Sequence, residues 1–123
     1  MAYLTDRKRA AGLGSAKSGT QHHIGMQVSA VALAILTPLF IFTFGCILGA
    51  PHPEVVAYFA RPFPSIVAGL TLVVGFIHFK NGAHMMLQDY VHGTKLMVLM
   101  TGVTLLSYGA MATGLFALVK LAL

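Results

Sequence analysis

With 57% apolar side chains and 9% charged ones in 123 residues, the chain is too hydrophobic for an ordinary small globular domain and belongs in a bilayer. Its formal net charge is +5, yet the basic residues gather mostly in the N-terminal tail and form no patch interleaved with aromatics, which argues against a nucleic-acid-binding module and for a cytoplasmic anchor. The single Cys46 cannot form an internal disulfide; lying in an apolar run, it reads as a lipid-facing or packing residue.

The expected architecture is all-α, with a basic tail over residues 1–24 and a three-helix membrane domain over 25–123. The tail is expected to be the mobile part. No Lys, Arg, Asp or Glu occurs from Ser18 to Pro53, and Val28 to Gly49 is apolar enough to cross a hydrocarbon core of roughly 30 Å. The first span is therefore predicted over about 26–49. Its long charged lead and the lack of a small-residue cleavage site at its end separate it from a signal peptide. Pro51, Pro53, Pro62 and Pro64 then punctuate a loop that also holds Glu54 and Arg61. Proline is tolerated at a helix start, so a second span is predicted over about 63–91. At ~1.5 Å per residue it reaches roughly 40 Å, long enough for its last turns to enter the headgroup region. His92-Gly93-Thr94 makes a tight turn, and the third span fills about 94–120, ending at Lys120. Arg7, Lys8, Arg9, Lys17 and Lys95 fall on one side of this layout, against Arg61 and Lys120 on the other. The positive-inside tendency thus places the N-terminus in the cytoplasm.

On the second span, Thr71, Gly75, His78, Gly82, Met85 and Asp89 fall on one helical stripe. An ionisable residue at this depth is costly and by default marks a working site. Two readings stand side by side. A lone intramembrane histidine with flanking glycines can simply hydrogen-bond and pack against a neighbouring helix. The same pattern also suits a flat, bulky cofactor such as haem held by an axial imidazole. In the second case the opposite ligand must come from another chain. His84 points about 240° around the helix from His78. His22 and His23 precede the first span, His52 lies in the far loop and His92 sits at a helix end.

Asp89 and Tyr90 lie roughly 17–18 Å along the helix axis from His78. A phenol there can donate to a quinone carbonyl, with the carboxylate orienting it or relaying protons. Equally, Tyr is a common interfacial anchor and Asp near a helix end is often merely solvated. Lys80, His84 and Gln88 form a second polar stripe, expected to meet a partner subunit or to snorkel toward headgroups; a proton path is the sharper alternative. Gly45 with Gly49, and Ala110 with Gly114, are small-residue pairs suited to close helix packing. Ser107 and Tyr108 can hydrogen-bond between helices.

The spacing of His78, Gly82, Asp89 and Tyr90, preceded by Ser18-Gly-Thr-Gln-His22 at the lead-in to the first span, resembles the hydrophobic membrane anchor subunits of succinate dehydrogenase, respiratory complex II. The likeness covers nearly the whole chain, and the Arg61-Pro-Phe-Pro start of the second span is similar to alphaproteobacterial members. The resemblance implies half of a two-subunit haem-binding bundle, embedded in the bacterial inner membrane. A cytochrome b subunit and this chain would each give one histidine to a single haem b. A flavoprotein and an iron-sulfur subunit would dock on the cytoplasmic side, in an enzyme of the tricarboxylic acid cycle and aerobic electron transport. Succinate would be oxidised at the flavin, and ubiquinone reduced where the anchors meet the iron-sulfur protein. By position, the resemblance makes His78 the axial iron ligand and Tyr90 the quinone donor, with Asp89 in support. Gln27 departs from the pattern, since relatives often carry Arg there. A quinol:fumarate reductase anchor is the nearest alternative; a non-redox assembly or transport component is the more distant one.

Overall fold

The computed structural model describes residues 4–12, 14 and 18–122, and within them the chain is helical throughout. Lys17 of the basic tail lies outside the described residues. Five helices follow in order: α1 (Asp6–Ala11), α2 (Gly19–Gly45), α3 (His52–Phe59), α4 (Pro62–Tyr90) and α5 (Thr94–Ala122). Of these, α2, α4 and α5 are long and apolar enough to cross a membrane.

Helix α1 forms within the tail because Thr5 caps it, its hydroxyl accepting from the Lys8 N–H at 3.3 Å, and Gly12 ends it at φ 54°. The Arg9–Asp6 pair on its surface is 3.9 Å apart and solvent-exposed. Helix α2 starts at Gly19 rather than near residue 26. The intervening Gln21, His22 and His23 are exposed and favour an extra polar turn or two in the helix as readily as a loop. It also stops at Gly45, short of the expected 49. Gly49 adopts φ 83°, a left-handed conformation that turns the chain away before Pro51. Gly45 and Gly49 are therefore not a packing pair on one helix face: one is the last helical residue and the other a turn.

The proline-punctuated loop contains α3, which begins on Pro51 and carries Pro53 in its first turn, where the missing N–H costs nothing. Val55, Val56 and Phe59 recur at helical spacing, and Phe59 is buried. The Tyr58 hydroxyl donates to the Thr43 carbonyl at 2.9 Å, and the Ser65 hydroxyl donates to the Phe59 carbonyl, so α3 ties the end of α2 to the start of α4.

Helix α4 runs for 29 residues, roughly 43 Å at ~1.5 Å per residue. It is the middle element: α2 packs on one face and α5 on another, while the α2 and α5 backbones do not come close to each other among the described residues. Burial is concentrated at the α3 end, where Thr43, Phe59, Pro64, Val67 and Ala68 come together. There Gly114 of α5 meets Leu72 of α4 so closely that an added Cβ would lie 3.2 Å from it. Toward the Asp89 end, the α4 residues around His78 are only partly covered. The result is an open row of three long apolar helices, most deeply buried at the α3 end.

Candidate functional site

His78 sits on the α2-facing side of α4. Its Nδ1 lies 2.8 Å from the Ser29 hydroxyl of α2, and that hydroxyl also bonds the Met26 carbonyl at 2.9 Å. A serine hydroxyl has one proton and two acceptor lone pairs, while a carbonyl can only accept. Both contacts are satisfied together when Ser29 donates to Met26 and accepts from His78 Nδ1–H. In that arrangement Nδ1 carries the ring proton and the Nε2 lone pair is free, as a metal ligand needs.

His84 is held in the opposite way. Its Nε2 is 3.1 Å from the Met100 carbonyl and 3.0 Å from the Thr104 hydroxyl of α5, and that hydroxyl donates to the same carbonyl at 2.8 Å. Nε2 must therefore carry the proton. One turn earlier, the Lys80 ammonium donates to the Tyr108 hydroxyl at 3.1 Å and lies 5.0 Å from the centre of its ring. The second polar stripe, expected to meet a partner subunit or the headgroups, thus faces α5 of the same chain. Gln88, at the end of that stripe, is exposed. Tyr108 is the acceptor for Lys80, whereas the Ser107 hydroxyl is buried without a partner among the described residues.

Beside His78, Gly75 borders an apolar groove of about 420 Å³ lined by Phe40, Thr71, Leu72 and Phe76, and a Cβ at Gly75 would meet nothing within 4 Å. Gly82, on the other side of the imidazole, faces the tip of Met26 at 3.8 Å. Glycine here leaves open space at one position and admits a neighbouring side chain at the other. Asp89 and Tyr90 end α4 and are exposed, Tyr90 at 82%. They stand roughly 17–18 Å along the axis from His78, and among the described residues nothing links the two. Gln27 is exposed too. The Ser18-to-His22 lead-in forms the first turn of α2 and, with Gly25 and Asn81, lines a polar recess of about 340 Å³.

Ser29, Met100 and Thr104 are site neighbours that helical periodicity along α4 could not reveal. The level of Ser29 follows from helix rise. It lies roughly 15 Å from the start of α2, and His78 lies roughly 18 Å from the end of α4, so the two share a level when these ends are side by side.

The family model for the succinate dehydrogenase/fumarate reductase transmembrane subunit matches residues 1–118. The chain belongs to this family. A relative from Paracoccus denitrificans, the succinate dehydrogenase hydrophobic membrane anchor subunit, is 41% identical over 123 residues, covering 100% of this chain and 95% of the relative. No solved structure matches. Full-length coverage and three membrane-spanning helices make the chain a multi-pass membrane anchor subunit of the succinate dehydrogenase type.

Among the described residues no three His, Cys, Asp or Glu side chains converge on a point. An axial position on haem iron asks for less: one imidazole nitrogen with a free lone pair and open apolar space nearby. In this family member, His78 and the groove along Gly75 meet both requirements.

Proposed function

We propose that this chain anchors a succinate:quinone oxidoreductase in the bacterial inner membrane, with its N-terminus in the cytoplasm. In this reading His78 Nε2 would hold the iron of a haem b shared with a cytochrome b subunit. The flavoprotein and iron-sulfur subunits dock on the Asp89 side, where ubiquinone is reduced. The observation that carries the reading is the contact of His78 Nδ1 with Ser29 at mid-span, which leaves Nε2 without a partner among the described residues, in a chain of this family.

When bound, haem b supplies one-electron redox chemistry. This chain's contribution is positional. Ser29 and α2 hold the His78 ring, and the open face of α4 leaves room for a flat group and a second helical subunit. The second ligand belongs to that subunit, because His84 faces α5, about 240° around the same helix from His78, and the other histidines lie near helix ends or in the α3 segment. Tyr90 donates its phenol proton in a hydrogen bond to a quinone carbonyl, and Asp89 orients that contact or passes protons to it. The same residues would serve a quinol:fumarate reductase, whose direction is set by potentials outside this chain.

A reduced-minus-oxidised spectrum of the purified complex tests the proposal. A b-type signal present with the native chain and lost in His78→Ala is the expected result. A colourless complex would remove the haem reading and leave only anchoring.

A further inference from the structure

We infer that Ser29 is a positioning residue that sets the orientation and electron-donating strength of the His78 imidazole toward iron. The inference rests on the haem-ligand reading above and extends it to a residue on a different helix.

Three observations lead to it. The Nδ1–Oγ distance is 2.8 Å, within the range of a good hydrogen bond. The Ser29 hydroxyl also lies 2.9 Å from the Met26 carbonyl, which can only accept, and with its proton directed there the hydroxyl faces His78 as an acceptor. Ser29 and Met26 both belong to α2, so the acceptor is set by the register of that helix with α4 rather than by a flexible loop. An imidazole that donates Nδ1–H to an acceptor is held in one tautomer and one ring orientation, and its other nitrogen becomes a more basic ligand. A more basic axial ligand favours the oxidised iron. Ser29 thereby lowers the midpoint potential of the haem.

A purely structural role would also place a hydroxyl between two helices, as interhelical hydrogen bonds do in many membrane bundles. The two roles separate in the spectroscopy of the assembled complex. Ser29→Ala is expected to retain haem, shift its midpoint potential to more positive values and change its low-spin electron paramagnetic resonance spectrum. Ser29→Thr, which keeps the hydroxyl, restores both. Ser29→Cys keeps the volume with a poor acceptor and gives a positive shift smaller than or equal to that of Ser29→Ala, so the test survives if the alanine variant does not assemble. Thr104→Ala removes a comparable hydroxyl between α4 and α5 away from His78, and leaves potential and spectrum unchanged.

Ser29→Ala and Ser29→Cys complexes with the native potential and spectrum would overturn the role of Ser29 while leaving His78 as ligand. A shift of equal size in Thr104→Ala would overturn it as well, by showing general loosening of the bundle. Retention of haem in His78→Ala would overturn the ligand reading itself, and Ser29 with it.

Discussion

Two histidines on one helix, His78 and His84, face different sides of α4, and direction separates them, since each neutral ring keeps one free lone pair whichever nitrogen is bonded. His84 commits Nε2 to α5, whereas His78 commits Nδ1 to α2 and keeps Nε2. His78→Ala is therefore expected to abolish the b-type haem spectrum. His84→Ala keeps it and costs only the stability of one interhelical contact, about 0.6 kcal/mol and at most about 1.7. Spectra and thermal stability of the two complexes, measured side by side, check this pair; equal loss of haem in both would refute the assignment. At the end of α4, Tyr90→Phe removes one hydrogen-bond donor from an exposed position where packing is slight. Quinone reduction should fall about threefold to tenfold, the weight of one ordinary hydrogen bond. Succinate oxidation with a soluble artificial acceptor should be unaffected. Steady-state assays with both acceptors decide it, and unchanged quinone kinetics would take Tyr90 out of the site.

Among the elements, the α4–α5 hairpin depends on two glycines for different reasons. Gly93 turns the chain at φ 71°, where an L side chain is strained, so Gly93→Ala should destabilise the hairpin by roughly 1–2 kcal/mol. Gly114 lies under Leu72, and Gly114→Val forces that side chain aside at a cost of about 1–3 kcal/mol. Thermal denaturation of the complex in detergent measures both, and Gly102→Ala, which meets open space, is the neutral control. The long apolar runs made these helices legible in sequence. Helix α3 was not, because four prolines and two charges over a short stretch look like a loop. Only the observed burial of Phe59 and the Tyr58–Thr43 hydrogen bond explain why a short helix with an early proline persists there.

For the whole molecule, the open row of α2, α4 and α5 leaves both broad faces of the middle helix partly uncovered, which suits a chain completed by a second membrane subunit. The proposed orientation makes a further prediction. Cys46 is exposed at the α3 end of α2. In spheroplasts it should react with a membrane-impermeant maleimide added outside, whereas Thr5→Cys in a Cys46→Ser background should react only after permeabilisation. The reverse labelling pattern would invert the topology.

Composition and hydropathy by themselves determined that this is a membrane chain of three spans with a histidine at depth in the second. Those properties follow from each residue's transfer free energy and from the fixed rise of a helix, neither of which needs a neighbour. Which face of α4 meets which helix was decided only by tertiary packing. A hydrogen bond between His78 and Ser29, or between His84 and Thr104, depends on the register and rotation of two helices far apart in sequence. Periodicity separates the two histidines by angle but carries no information about what occupies each side. That assignment, made by the side chains of α2 and α5, decides which nitrogen of each ring is engaged and which way the ring faces.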